Sequence, residues 1–263
     1  MSRKLILSEL VCRARPDVRA GVVGPTAPPA PDALRHLRGL MFDFGGVLYD
    51  DSVWRRWLLR LLSHLGLHTH YGSFVHVLEH EYMVDVYRGR ESFCTAFTRF
   101  LRAAGLSSGQ IDEVMAACQG QRRALEESTR PLPGVRCTIA RLRRMGLTLG
   151  LLSDTELPAA ELRARLEQFV PGSTFQAVVS SVDLGCTKPD SCCYRQVLDQ
   201  MELGPDEVAY VGHDPAELAG ARRVGMATIA FNAQPETVAD VHLDRFEQLV
   251  DVVVPAVSLA AAG

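Results

Sequence analysis

The chain has 263 residues, of which 47% are hydrophobic and 22% are charged, and its formal net charge is −3. This composition is typical of a globular protein with a sizeable core, and it excludes a disordered, collagen-like or coiled-coil chain. The nearly balanced charge predicts no binding to nucleic acid, and no apolar run approaches the ~18 residues that would predict a membrane span. Only Lys4 and Lys188 are lysines among the 28 basic residues. The presence of a lysine in mid-chain, where arginine is otherwise used, therefore suggests a chemical role for it.

Residues 1–38 are predicted to be an N-terminal extension with a Pro/Ala-rich linker. The linker, residues 24–31, contains four prolines in eight positions, which disfavours a helix or a central strand. The apolar run before it is short and is interrupted by Glu9, unlike a secretory signal. The seven cysteines are scattered and contain no CxxC pair, so we expect reduced thiols and a cytoplasmic protein.

The folded region is predicted to begin with a buried strand at residues 40–44, between Gly39 and the pair Gly45–Gly46. Residues 52–130 then carry apolar side chains at helical spacing without a strand signal. This pattern predicts an all-helical unit, including a helix over residues 74–87.

From Leu132 onward, predicted helices and strands alternate. The helices are at 134–144, 159–169, 191–201, 215–224 and 246–253, and the strands at 147–153, 177–181, 208–212 and 227–231. Alternation of this kind implies right-handed βαβ units and a parallel sheet buried on both faces. The predicted fold class is therefore α/β. A doubly wound, Rossmann-like parallel sheet would be formed by residues 39–51 and 131–255, with the helical domain 52–130 inserted after the first strand.

The ends of the predicted strands carry polar residues of one chemical type. In an open parallel sheet, ligands bind outside the carboxyl ends of the strands. Those ends hold Asp43, Ser153 with Asp154, and His213 with Asp214, and Lys188 follows the third strand. A hard cation accepts oxygen ligands, and phosphoryl oxygens need fixed positive charge and hydroxyl or amide donors. The set therefore suits a divalent cation together with a phosphate.

Four segments at these strand ends carry a family resemblance. They read MFDFGGVL at 41–48, LLSD at 151–154, GCTKPD at 185–190 and YVGHD at 210–214. Through them, and over residues 39–250, the chain resembles the haloacid dehalogenase superfamily of aspartate-nucleophile hydrolases. The resemblance is greatest to the phosphatase group whose first motif reads DxGGV. The helical block stands where this family inserts a helical cap, which would exclude water and select the substrate.

The resemblance implies a Mg²⁺-dependent phosphatase acting on a small phosphorylated metabolite. Asp43 would be the nucleophile that forms an aspartyl-phosphate, since a carboxylate is already ionised at neutral pH. The metal ion would be held by Asp43, the backbone carbonyl of Gly45 and Asp214. Ser153, Asp154 and Lys188 would bind the phosphoryl group. In that role the compact ammonium of Lys188 is not replaceable by a guanidinium.

Two positions depart from the family pattern. Phosphatases of this family usually carry a second Asp two positions after the nucleophile as general acid, and here that position is Gly45. The fourth motif usually has Asp directly after its Gly, and here His213 stands there. Asp214 is favoured as the metal carboxylate, but His213 and Glu217 remain alternatives.

Two further functions stay open at this stage. The first is dehalogenation at Asp43 without a metal ion. The second is a degenerate domain that binds a ligand or a partner without turnover, for which Gly45 and His213 are the evidence. Intact Asp43, Ser153 and Lys188 argue against the degenerate domain.

Overall fold

The computed structural model describes residues 34, 36–127, 130–171 and 174–253. The predicted N-terminal extension and its linker therefore lie almost entirely outside the described residues. The chain divides into two compact units. One contains residues 52–86 and the described part of 90–129, and the other contains the described part of 29–51, residues 87–89 and the described part of 130–263.

The second unit is built on a six-stranded sheet. Its strands are β1 (Gly39–Phe42), β2 (Thr148–Ser153), β3 (Ala177–Ser180), β4 (Val208–Gly212), β5 (Ala227–Phe231) and β6 (Val241–Leu243). The order is β3-β2-β1-β4-β5-β6, and every neighbouring pair is parallel. The predicted doubly wound α/β class is confirmed. The three-residue strand β6 was not predicted, because it is too short to show a periodicity.

The first unit is entirely helical among its described residues. Its helices are α1 (Ser52–His64), α2 (Tyr71–Val77), α3 (Val84–Tyr87, of which the last residue belongs to the second unit), α4 (Phe93–Ala103) and α5 (Ser108–Glu127). A π-helical turn at Leu78–Tyr82 separates α2 from α3, so the single helix expected over 74–87 is three pieces. The buried ring of Phe100 lies 6.0 Å from that of Phe74 and 5.4 Å from that of Tyr82.

Helices cover both faces of the sheet. They are α6 (Val135–Arg144), α7 (Ala159–Glu167), α8 (Ser181–Leu184), α9 (Ser191–Met201), α10 (Pro215–Val224) and α11 (248–253), with a 3₁₀ turn at Pro205–Glu207. Alternate residues of β1 enter different cores: Leu40 and Phe42 pack into one and Met41 into the other, as the two-residue period of a strand requires. Leu34 and Leu37 also pack into the first core, so the α/β unit extends before residue 39.

The register of the three central strands aligns their carboxyl ends. Phe42 pairs with Leu151 on one side and with Val211 on the other. The residues that follow these positions therefore share one edge of the sheet. No helix among the described residues is both long and apolar enough to cross a membrane.

Candidate active site

A buried ion pair lies at this edge of the sheet. Asp43 follows β1 and is 6% exposed, and Lys188 is 7% exposed. The Nζ atom of Lys188 lies 2.6 Å from Asp43 Oδ1, which also accepts a hydrogen bond from the backbone N–H of Phe44. Burial by itself raises the pKa of Asp43, but Lys188 and His213 lower that pKa well below its ordinary value. The carboxylate is therefore ionised at neutral pH.

Lys188 is held in place by a second carboxylate. Its Nζ lies 3.0 Å from Glu217 Oε2, and that oxygen accepts a hydrogen bond from the Tyr210 hydroxyl at 2.8 Å. Burial lowers the pKa of Lys188, but Asp43 and Glu217 raise it well above the ordinary value. Glu217, which the sequence left open as a metal ligand, therefore positions the lysine. No sequence pattern indicated the role of Tyr210.

The loop that carries Lys188 is fixed from two sides. Asp154 Oδ1 accepts a hydrogen bond from the backbone N–H of Lys188 at 3.1 Å. Burial raises the pKa of Asp154 to about 6. On the other side, the Arg88 guanidinium donates to Thr187 Oγ1 and to Asp190 Oδ2, both at 3.2 Å. Asp154 was predicted to bind phosphate, but this carboxylate is engaged with the loop backbone. The sequence offered no signal for Arg88.

Ser153 is the last residue of β2 and is buried. It pairs in register with Ser180 on β3. The next residues are anchored to β3 and α8: the Thr155 N–H donates to Ser181 Oγ at 2.9 Å, and the Ser180 hydroxyl donates to the Leu157 carbonyl at 2.6 Å. Because β2 adjoins β1, the Ser153 hydroxyl and this backbone share the sheet edge with Asp43.

The two adjacent residues of the fourth motif have different surroundings. Asp214 is the N-cap of α10, and its Oδ1 accepts from the N–H groups of Ala216 and Glu217 at 2.8 and 3.0 Å. His213 Nδ1 lies 3.4 Å from Asp43 Oδ2. Burial by itself lowers the pKa of His213, but the adjacent Asp43 carboxylate raises this pKa by a larger amount, so that it reaches about 9. The structure therefore places the imidazole beside the Asp43 carboxylate, whereas the Asp214 carboxylate caps α10.

The donors beside Asp43 fit a divalent cation. His213 Nδ1 is buried, and no described group makes a well-formed hydrogen bond to it. Two ligands that lie ~2.1 Å from one octahedral ion are about 3 Å apart, close to the 3.4 Å between this nitrogen and Asp43 Oδ2. A metal ion between the two would satisfy both atoms. An imidazole ligand favours a softer ion than Mg²⁺, such as Mn²⁺ or Zn²⁺.

The cysteines differ from the expectation of free thiols. Cys186 and Cys192 form a disulfide, and Cys193 Sγ lies 3.4 Å from Cys186 Sγ. The three residues flank the Lys188 loop, which returns to the first turn of α9 and so brings them together. A spacing of six residues gave no pairing signal in the sequence.

Comparisons with known proteins relate this chain to a family of hydrolases. The family model described as haloacid dehalogenase-like hydrolase matches residues 37–225. A glyceraldehyde 3-phosphate phosphatase of Methanopyrus kandleri is 26% identical, over 82% of this chain and 97% of its own length. An (S)-2-haloacid dehalogenase 4A of Burkholderia cepacia is 29% identical over only 37% of this chain and 41% of its own. A solved HAD-superfamily hydrolase of Geobacter sulfurreducens matches with a TM-score of 0.60 and 18% identity, covering 83% of this chain and 97% of that one.

Proposed function

The chain belongs to the haloacid dehalogenase-like hydrolase family, and we propose that it is a metal-dependent phosphatase of small phosphorylated metabolites with Asp43 as its nucleophile. Phosphatases of this family generally depend on a metal ion. The observation that carries the proposal is the buried, ionised carboxylate of Asp43 with Lys188 Nζ at 2.6 Å. The phosphatase relatives, which match almost over their whole length, support it.

Asp43 acts as the nucleophile in the first step. A bond forms between its carboxylate oxygen and the phosphorus as the bond from phosphorus to the alcohol oxygen breaks. Water then attacks the phosphorus, which releases inorganic phosphate and restores the carboxylate. Because Lys188 and His213 hold the pKa of Asp43 low, the nucleophile needs no base to ionise it.

Lys188 and Ser153 bind the phosphoryl group in this proposal. The ammonium balances charge between the nucleophile and the phosphate, and the hydroxyl donates to a phosphoryl oxygen. Glu217 and Tyr210 are positioning residues, because they act by holding Lys188. Asp154 positions the Lys188 backbone and does not bind phosphate directly.

The metal ligands proposed for this chain are Asp43, the backbone carbonyl of Gly45 and His213, in place of Asp214. A bound divalent cation supplies Lewis-acid neutralisation of the carboxylate and a phosphoryl oxygen. The ion is Mg²⁺, as the family resemblance implies, or Mn²⁺, because of the nitrogen donor. His213 must lose its proton to bind the ion.

The test is hydrolysis of 4-nitrophenyl phosphate by the wild type and Asp43→Asn, with Mg²⁺, with Mn²⁺ and with EDTA. We expect turnover that requires a metal ion and is absent in the variant. In parallel, His213→Ala should raise the metal-ion concentration that gives half-maximal activity by at least ~10-fold. Asp214→Ala should change this concentration little. Turnover of a 2-haloacid in EDTA would identify a dehalogenase instead, and no turnover of either substrate would identify a binding domain.

A further inference from the structure

Three cysteine sulfurs converge beside the loop that carries Lys188. The Sγ atoms of Cys186, Cys192 and Cys193 all lie within 4.8 Å of one another, and those of Cys186 and Cys193 are 3.4 Å apart. The disulfide between Cys186 and Cys192 uses two of these sulfurs and leaves the third beside the bond. A disulfide does not explain the third sulfur, because it needs only two cysteines.

A short turn of the chain brings these sulfurs together. The Cys193 N–H donates at 3.1 Å to the carbonyl of Asp190, which is the N-cap of α9. The chain therefore turns into α9 directly after the Lys188 loop, and Cys192 and Cys193 lie in the first turn of that helix. Cys193 is fixed further, because it is buried in the core cluster against which Cys186 packs. The local fold thus holds two of the sulfurs against the start of the loop.

The spacing of the three sulfurs fits one soft metal ion. Sulfurs bound at ~2.3 Å to a tetrahedral Zn²⁺ ion are about 3.8 Å apart, within the 4.8 Å that bounds this cluster. Thiolate ligands select zinc over harder cations such as Mg²⁺. The dipole and free N–H groups at the start of a helix favour thiolates over thiols, and two of the three cysteines stand there. Cys192 is exposed, so water can take the fourth position on the ion.

We propose that Cys186, Cys192 and Cys193 form a thiolate site for Zn²⁺ in the reduced protein, separate from the metal site beside Asp43. Reduction comes first: a dithiol passes two electrons and two protons to the disulfide and itself becomes a disulfide. Zn²⁺ then displaces the three thiol protons. The bound ion joins residue 186 to residues 192–193 and so closes the loop that contains Lys188. This site does not depend on the proposed phosphatase function, because none of the three cysteines takes part in it.

The experiment uses Co²⁺ as the probe, because its near-ultraviolet charge-transfer band is intense only when sulfur is bound. The full-length protein is stripped of metal with EDTA, reduced with dithiothreitol, desalted without oxygen and titrated with Co²⁺. We expect the band to saturate at one ion per chain and Zn²⁺ to abolish it by displacing Co²⁺. The protein that keeps its disulfide should give no band. Co²⁺ beside Asp43 gives none either, because the ligands proposed there are oxygen and nitrogen.

Two serine variants locate the site. Cys192→Ser removes one ligand and should raise the dissociation constant for Co²⁺ by at least ~10-fold, since even the hydrogen-bond partner of a ligand contributes about that much. Cys137→Ser, at an exposed free cysteine of the same unit, should leave the titration unchanged. Circular dichroism shows that both variants are folded. As a second readout, Zn²⁺ should protect Cys186 and Cys192 of the reduced wild type from iodoacetamide, as mapped on peptides, and should not protect Cys137.

Three results would overturn the proposal. The absence of a band in the reduced wild type would show that the cluster binds no such ion. An unchanged band in Cys192→Ser, or an equal loss in Cys137→Ser, would place the sulfur ligands elsewhere. The same band in the disulfide-bonded protein would show that reduction is not needed. None of these results depends on turnover, so a failure of this proposal is distinguishable from a failure of the phosphatase function.

Discussion

The two compact units differ in where they bury polar groups. Every buried polar or charged side chain in the part of the chain that the structure describes belongs to the α/β unit, including Asp43 and Lys188. In the helical unit, described ion pairs stay partly exposed, as in Arg99–Glu91, whose side chains are 48% and 19% exposed. A buried ion pair adds little net stability compared with an apolar replacement. The buried charges of the α/β unit are therefore better explained by the chemistry of the candidate site than by stability. The helical unit, in contrast, is stabilised by apolar packing.

The largest effect on stability is expected in the helical unit. Phe100→Ala removes a ring that contacts Phe74, Tyr82 and Phe97, and it should lower the free energy of unfolding of this unit by about 3–5 kcal/mol. The chain's two tryptophans, Trp54 and Trp57, both belong to this unit, so urea unfolding followed by tryptophan fluorescence reports on it. Val238→Ala, at a 69% exposed residue, is the control. A loss below ~1 kcal/mol would mean that apolar packing does not hold the unit.

The largest effect on chemistry is expected at the buried ion pair. Lys188→Arg keeps the charge, but the longer planar guanidinium cannot contact both Asp43 and Glu217 from the site of a compact ammonium. We expect kcat/KM on 4-nitrophenyl phosphate to fall by at least ~10²-fold, in protein whose circular dichroism is unchanged. Arg222→Lys, at a partly exposed cation, is the matched control. Near-normal activity of Lys188→Arg would mean that this lysine is only a loop charge.

The site residues that could be predicted from the sequence are those that directly follow a recognisable strand. Asp43, Ser153 and the Lys188 loop follow apolar runs bounded by glycine or helix signals, and parallel strands bring such ends together. The bonds from Glu217 and Tyr210 to Lys188 were not predictable, because they join residues 22 to 29 positions apart. The different surroundings of His213 and Asp214 depend on where α10 begins, which a pattern does not locate to one residue.

A smaller effect is expected where a carboxylate acts only as a cap. Asp214→Ala removes two hydrogen bonds to the first turn of α10 and should cost about 1 kcal/mol of unfolding free energy. Asp214→Asn, which retains an accepting oxygen, should recover most of that loss. Urea unfolding of both variants measures it. If Asp214→Asn lost as much stability as Asp214→Ala, the cap would not be the role of this residue.

The smallest effect is a pH dependence of stability. The pKa of His213 is raised to about 9 in the folded protein, compared with about 6.5 for an unperturbed histidine. Its protonation therefore stabilises the fold fully below about pH 6.5, and this contribution is lost as the pH rises through about 9. In EDTA, the unfolding free energy of the wild type should fall across that range relative to His213→Gln. Parallel curves for the two proteins would show that His213 does not gain a proton on folding.

Trapping the covalent intermediate tests the role of Asp43 most directly. The wild-type protein would be mixed with phosphate-labelled 4-nitrophenyl phosphate and the divalent cation, quenched in acid during turnover, digested and mapped. We expect the label on the peptide that contains Asp43, released by hydroxylamine as an acyl phosphate is, and absent from Asp43→Asn. Label on His213 or Ser153, or turnover without any labelled peptide, would contradict nucleophilic attack by Asp43.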